Sequence, residues 1–511
     1  MASTFFGLTI AYSGLQASQV AVNTTAHNIS NVRTDGYSRQ QTTVQAAESL
    51  KTYAKYGTIG VGVEVTDITH LRNAYYDVKY RTNETSYGEY SFKENYMTQI
   101  GDYFNEYALE GYTKSYQSFF TAVEQVKNTP QLSSARNSLI NSAKSMAEYF
   151  NTLSENLSNL QRDLNEELKT KVGTINTIAQ NLASLNKQIN QIEANNGEAN
   201  DLRDTRNNLL DQLSSIANIT TYNEDLGNGL SAVNVQLNGY SLVTTYSCSQ
   251  LECVPRTEKR NASDIDGLFD VQWTDGQTFN GYSAELGGEL KALFDLRDGC
   301  NDSKEVETTD ASGNKTLSIE SEKSTYNTSF KGLPYYKAKL NEFVSTFTTA
   351  VNDVLTAGKT IDGKDGIPLF TIKYSDSSMS ASTVGVDEKL IKDDSLLATT
   401  SDPTLGEQYS DIKTNLKAIS SSKIFEGGTG ENYLQSLMSE VAIDESKANT
   451  FTSNFKNLQS SINNQRLSVM GVDEDEEGMD LMKYQQSYNL CSKMMSVMNE
   501  IYNKLINETG L

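Results

Sequence analysis

The chain has 511 residues and a formal net charge of −22. That length admits two to four domains, and so acidic a chain lacks the basic stripe that nucleic acid demands and repels anionic lipid, which argues against both as partners. Two His and four Cys leave little material for a histidine-based or zinc site, and no run approaches the roughly 20 apolar residues of a membrane span.

In chain order, the spacing predicts a helix over 4–30, capped by Thr4. Leu8, Ala11, Leu15, Ser18, Val22, Thr25 and Ile29 step by alternating threes and fours, the spacing of a seam between two helices. Asn28, Ser30, Asn31 and the Asp35-Gly36 pair stop it. Tyr37–Val44 and the alternating run Gly60–Val65 read as extended, so a small β connector follows. From 71 to 218 the pattern is helical, with a break at Pro130. The Tyr and Phe residues of 87–120 predict a core or subunit contact, with a sugar-binding face as the alternative. The longest periodic stretch, 131–195, predicts a helix on the order of 90 Å long, ended by Asn195-Asn196-Gly197, and Leu202–Ile216 predicts a shorter helix folding back.

Residues 219–330 change character: short alternating runs are separated by Asn-Gly and Asp-Gly pairs, the mark of a β domain. Within them, 299–332 is polar enough for a surface loop or hairpin. Helix returns at Leu333–Leu355, residues 358–430 form a second insertion, and helix resumes over 431–468. The acidic run Asp473–Glu477 lacks calcium-loop spacing and complements the dipole of the final helix. That helix carries a second stripe: Leu481, Tyr484, Tyr488, Cys491, Met495, Met498, Tyr502 and Leu505.

The fold class expected is mainly α with β insertions: paired terminal helices in a coiled coil, a long antiparallel helical middle domain and a β-rich outer region. The division expected is 1–70 with 470–511 as terminal coiled coil and connector, 71–218 with 333–357 and 431–469 as helical rod, 219–332 as β-rich insert and 358–430 as second insert. Two matched stripes at the ends suit a subunit that pairs its termini inside an assembly; a hairpin internal to a monomer is the plain alternative. Cys248 and Cys253 are close enough in sequence to bridge, with two free thiols as the alternative, and Cys491 sits on the seam. No HExxH, GxxxxGK[ST], GxSxG or CxxC occurs, so no enzyme activity, cofactor or metal is expected.

The segment Ala26-His27-Asn28-Ile29-Ser30-Asn31-Val32-Arg33-Thr34-Asp35-Gly36-Tyr37-Ser38-Arg39-Gln40 resembles the signature of bacterial flagellar rod, hook and hook-associated axial proteins, with Arg33 and Asp35 in place of the usual Asn and Pro. Further segments agree: Gly60-Val61-Gly62-Val63, Arg72-Asn73-Ala74-Tyr75-Tyr76, Asn200-Asp201-Leu202-Arg203-Asp204-Thr205-Arg206, Gly287-Gly288-Glu289-Leu290, Leu296-Arg297-Asp298, and Leu481-Met482-Lys483-Tyr484-Gln485-Gln486-Ser487-Tyr488. The resemblance implies a non-enzymatic structural subunit that joins hook to filament. It implies export through the flagellar type III channel, in keeping with the lack of a cleaved signal, and a place on the extracellular flagellum. Its implied partners are copies of itself, hook protein, hook-associated protein 3 and an export chaperone at the C-terminal helix. The residues expected to carry assembly are Leu8, Leu15, Val22, Ile29, Tyr37, Leu481, Tyr488, Met495 and Leu505. The alternatives are hook protein itself, against which the helices over 131–195 and 333–355 argue, and a surface enzyme or glycan-binding module carried by 219–330.

Overall fold

The computed structural model describes residues 6–51, 58–104, 112–195, 197–227, 230–311, 313–321, 329–374, 377–405, 411–425 and 428–508; the expected cap Thr4 lies outside them. Helix α1 spans Phe6–Asn31 and leads into an arm in which β1 (Gln40–Ala46) pairs antiparallel with β4 (Val63–His70), while the short strands β2 (Leu50–Lys51) and β3 (Thr58–Ile59) pair with each other. Strands β1 and β4 pack against α1: Val63 N donates to Ser13 Oγ (3.2 Å) and Thr42 Oγ1 to Thr24 Oγ1 (3.1 Å).

The body follows. Helices α2 (Ala74–Phe104) and α3 (Tyr112–Asn128) precede α4 (Ser133–Glu193), whose 61 residues give a rod of about 90 Å. Leu153, Leu157, Leu160, Leu164, Leu168, Val172 and Ile175 form one buried stripe along it, the helical period that the sequence displays. Helix α5 (Asn200–Ile216) folds back on α2 and α4. The β-rich region is a set of small antiparallel units: β5 (Ile219–Gly227), β6 (Leu230–Leu237) and β7 (Tyr240–Val243) in one sheet, β8 (Leu251–Pro255) with β9 (Phe269–Trp273) in another. Helix α6 (Gly288–Asp298) then packs on α2 and α4, and β10 (Ser303–Thr309) with β11 (Lys315–Ser321) forms the hairpin expected within 299–332. Helix α7 (Leu333–Thr356) returns the chain to the body, where β12 (Phe370–Ile372), β13 (Val384–Val386), α8 (Glu388–Lys392) and α9 (Ile412–Ser421) cover the end formed by α3, α4 and α7. Helix α10 (Gly430–Met470) runs along α2, and α11 (Glu474–Asn507) closes the chain against α1.

Of the Tyr and Phe residues of 87–120, Phe104, Tyr116 and Phe119 are buried in the core, and Tyr107 lies outside the described residues. Phe119, Phe343, Phe347 and Phe370 are fully buried in mutual contact, and Tyr90 of α2 stacks on Phe451 and Phe455 of α10 at 4.7 and 5.5 Å. Cys248 and Cys253 are free thiols, Cys248 bridging by its backbone to Val243 and Cys253 lying within β8.

Two glycines on helices have opposite roles. A Cβ on Gly88 of α2 would lie 2.4 Å from the Ser215 carbonyl oxygen of α5, so the two helices approach closely only because Gly88 has no side chain. Gly173, exposed in the middle of α4, has nothing within 4 Å of a built Cβ. We expect Gly88→Val to destabilise the body by about 1–3 kcal/mol through overpacking. Gly173→Ala should stabilise it by about 0.5–1 kcal/mol by lowering backbone entropy of the unfolded chain. Calorimetric unfolding of the two variants beside the parent checks both signs.

Candidate assembly interface

Helices α1 and α11 lie antiparallel, and the side of α1 turned to its partner is a row of small residues: Gly7, Ala11, Gly14, Ser18, Ala21, Thr25 and Asn28. A Cβ on Gly7 would sit 2.6 Å from Met498 Cε, and one on Gly14 would sit 2.9 Å from Cys491 Sγ. The opposing row on α11 is large: Tyr484, Tyr488, Cys491, Met495 and Met498 are half-buried and Tyr502 is buried. Small against large brings the two axes close. The seam therefore sits beside the aliphatic residues of the N-terminal stripe. Leu8, Leu15, Val22 and Ile29 are half-buried on its flank, Leu481 and Tyr488 are half-buried at its α11 side, and Leu505 is 49 % exposed.

A second apolar row runs along α11 on the side away from the seam. Met482, Leu490, Val497 and Ile501 are exposed by 60, 67, 53 and 48 %, and Met494 and Leu505 continue the row. A helix with two apolar faces, only one of them covered by its own chain, is built to be covered again.

The seam ends in a polar knot. Asn28 is 1 % and Glu477 2 % exposed, and Asn28 Nδ2 donates to Glu477 Oε2 at 3.1 Å and to the Gln40 carbonyl at 2.9 Å. Asn28 Oδ1 accepts from Tyr37 Oη (2.8 Å) and Gln40 N (3.0 Å), while Arg39 Nε donates to Glu477 Oε1 (2.6 Å) and Arg39 N to the Met470 carbonyl (2.8 Å). Burial, with the charges of Asp201, Asp204 and Glu477 added, pushes the Tyr37 hydroxyl well above its ordinary value, so it stays protonated and donates. Asp473 caps α11 by accepting from the backbone of Asp475 and Glu476.

From the knot, side chains lead into the body. The turn and arm lie along α5: Asn208 Nδ2 donates to the Asp35 carbonyl (2.9 Å), Ser38 donates to Asp204 through both N and Oγ (2.8 Å each), and Gln40 Nε2 donates to Asp201 (2.8 Å). Gly36 has φ +74° with Asn208 against it, which requires glycine at this turn. Arg72 links Asp204 (3.3 Å) to Asp77 (2.7 Å), and Arg466 links Asp77 (2.8 Å) to Asp211 (2.6 Å), which also takes Arg81 (2.7 Å). Burial raises the Asp77 carboxyl, but the adjacent Arg72, Arg466 and Arg81 outweigh it and hold it below the usual range. Burial prevails at Asp204, whose carboxyl is raised against the Ser38 hydrogen bonds and the Arg72 charge.

Periodicity alone did not single out Asn28, Arg39, Glu477, Arg72, Asp77, Asp204 or Arg466. The signal for some was present: Asn28 and Arg39 fall inside the first signature, Arg72 opens the segment 72–76, Asp204 lies in the segment 200–206, and Glu477 lies four residues before Leu481, one step back along the stripe.

Comparison with known proteins gives the family. Residues 97–370 match the flagellar hook-associated protein FlgK helical domain, more than half of the chain. The chain belongs to the flagellar hook-associated protein FlgK family. Residues 8–37 match the flagella basal body rod protein family, and 463–508 match the flagellar basal body rod FlgEFG protein C-terminal family, the two segments that form the seam and knot. The chain is 28 % identical to flagellar hook-associated protein 1 of Bacillus subtilis over all of this chain and 99 % of that one. It is 24 % identical to flagellar hook-associated protein 1 of Escherichia coli over 97 % and 98 %. A solved flagellar hook junction protein FlgK from Burkholderia pseudomallei aligns with 57 % of this chain and 46 % of its own, with TM-score 0.45 and 20 % identity. Membership of this family makes the chain a structural, hook-associated component of the flagellum. The helical-domain match lies where the hook-protein alternative called for mostly β structure.

Arg466 is the hinge pin of the ion-pair chain, because its loss leaves Asp77 buried without one of its cations. We expect Arg466→Leu to cost about 3–5 kcal/mol, and Arg466→Lys to restore less than half, since one ammonium cannot replace a planar fork between two carboxylates. A carboxyl depressed in the folded state stabilises fully above its unfolded pKa near 4, and that contribution is lost as pH falls through the lower folded value. The parent should therefore lose its stability advantage over Asp77→Asn only below about pH 4, which paired denaturation curves from pH 7 to pH 3 measure.

Proposed function

We propose that this chain is the adaptor that joins hook to filament, assembled from copies of itself through its terminal helices. The single observation carrying this reading is the exposed row Met482, Leu490, Val497 and Ile501, which a lone subunit leaves in water. Neighbouring copies cover it, with Leu8, Leu15, Val22 and Ile29 on α1, beside Tyr37, and Leu481, Tyr488, Met495 and Leu505 on α11 as the assembly residues. The paired termini form an inner layer, the helical rod a second, and the β-rich inserts the outer surface.

One end of this assembly meets hook protein and the other hook-associated protein 3; both contacts follow from the adaptor role. The subunit leaves the cell through the flagellar type III channel and works on the extracellular flagellum. Its C-terminal helix is where an export chaperone docks, since the same apolar row needs cover before assembly. Its task is mechanical and requires no catalytic group.

Leu490 is exposed in the single subunit, so a charge there leaves the fold intact and acts only on packing between copies. Leu490→Asp should abolish filament attachment while thermal unfolding of the body stays within about 0.5 kcal/mol of the parent. Electron microscopy of cells carrying the variant measures the first, and calorimetry of the purified chain the second. Normal filaments on Leu490→Asp cells would sink the assignment of this face.

A further inference from the structure

The seam of the terminal helix pair nearly repeats itself every seven residues. On α1 one set of positions reads Gly7, Gly14 and Ala21, the other Ala11, Ser18 and Thr25. On α11 the sets read Tyr484, Cys491 and Met498, and Leu481, Tyr488, Met495 and Tyr502, of which the methionines repack readily. The observed contacts fall in one alignment. Fourteen residues back from Asn28 is Gly14, and fourteen on from Glu477 is Cys491; seven more on each helix reach Gly7 and Met498. A slide of one heptad, about 10.5 Å, would oppose Cys491 to Gly7, as small as Gly14, or to Ala21, larger by one methyl.

The rest of the seam says little against such a slide. The Ser18 hydroxyl bonds back to the Gly14 carbonyl at 2.8 Å within its own helix, so it carries no register information. The backbone tether is long enough for the slide: six residues separate Asn31 from Ser38, a reach of roughly 20 Å when extended, about twice the slide. Outside the seam the slide would also disturb the Asp35–Asn208 bond and the contacts of the arm with α1. Within the seam, what differs between alignments is the knot. A slide one way sets the Glu477 carboxylate against Ala21, without the Asn28 amide; a slide the other way carries it past the end of α1. A buried carboxylate without its partner is costly, whereas a flexible methionine moved from one small residue to another adjusts at lower cost.

We infer that the Asn28–Glu477 pair is the register pin of the terminal helices, selecting one antiparallel alignment of α1 and α11 from several that the apolar seam fits almost equally well. Arg39 and Tyr37 are positioning residues of the pin: Arg39 holds the Glu477 carboxylate and Tyr37 the Asn28 carbonyl. The pin acts at the end nearest the body, so it also fixes the height at which every residue of the outward rows meets a neighbouring copy.

Cys491 supplies the test. A disulfide places each Cβ about 3 Å from the opposite sulfur, and the Gly14 position already has that distance to Cys491 Sγ, 2.9 Å. Gly14→Cys reports the observed register, and Gly7→Cys and Ala21→Cys report the two slides. Each is made in the full chain, oxidised in flagella isolated from expressing cells, and quantified by peptide mapping. With the pin intact, Gly14→Cys should bond to Cys491 at least about ten-fold more than either slide reporter. In an Asn28→Leu/Glu477→Leu background the slide reporters should rise about ten-fold at the expense of Gly14→Cys, while Glu477→Gln, which keeps the Asn28 hydrogen bond, holds the parental pattern. Exclusive bonding of Gly14→Cys in the doubly substituted chain overturns the inference. So does loss of all three bonds with loss of incorporation into flagella, because the pair would then hold the helices together rather than align them.

Discussion

The closeness of α1 to α11 is the constraint on which the terminal unit rests. It exists because Gly7 and Gly14 present no side chain to Met498 and Cys491, and because the other seam residues of α1 are nearly as small. Burial of apolar area stabilises by about 25 cal/mol per Å², so a seam made on one side of glycine, alanine, serine and threonine gains little from α1 itself. Helical nucleation is costly and helices of this kind draw most of their stability from packing. The large aliphatic side chains of α1, and a second apolar row of α11, are left on the outer faces, where further helices can cover them. Closeness within the pair and incompleteness outside it are thus one design choice.

Attachment to the body follows a different rule. Few large apolar groups join the arm to α5; the connection is made of carboxylates, guanidiniums and amides, each with named partners. A buried ion pair is weak evidence for stability, since apolar substitutes of equal volume often do as well or better. It is strong in direction, because a guanidinium bonded in its plane to two carboxylates admits one orientation. Asp201, Asp204 and Asn208 lie one helical turn apart on α5 and receive Gln40, Ser38 and the Asp35 carbonyl in turn. The connector is therefore laid along the helix at a fixed height. A subunit whose terminal layer must meet neighbours at a set angle gains more from direction than from affinity.

Much of the helical frame was legible in the sequence. The period and the break at Pro130 placed α4 to within two residues at each end, and the helices at Leu333 and at 431 begin within a residue of their expected starts, while α11 begins at Glu474, taking into its first turn the acidic run expected to precede it. The pairing of the two ends was legible as a period. What the period could not tell was which side faces inward. Counting apolar residues turns Leu8, Leu15, Val22 and Ile29 toward the partner, but close approach favours the absence of bulk, and the row used is Gly7, Gly14 and Ala21. The knot was invisible for a related reason. Asn28 and Glu477 stand 449 residues apart, and each taken alone reads as a helix-end residue; only the fold brings a donor to its acceptor. Glu477 in particular disappears into the acidic run, where Asp473 does the capping that the run suggests.

Charge distribution bears on assembly in the same way. A chain of net charge −22 repels its own copies. Yet α1 contains no Asp, Glu, Lys or Arg, and α11 beyond Asp480 carries Lys483, Lys493 and Lys504 against Glu500 up to its end at Asn507. The acidic surplus lies almost wholly in the body and at the base of α11, where Arg39 offsets part of it through Glu476 and Glu477. Apolar rows that must bring like copies together therefore sit on the part of the molecule where repulsion between copies is smallest. The charge is kept outward, where screening acts over about 8–10 Å and where solubility before assembly requires it. Segregating the two leaves the charged body apart from the apolar rows, so repulsion between copies and cover for those rows need not compete.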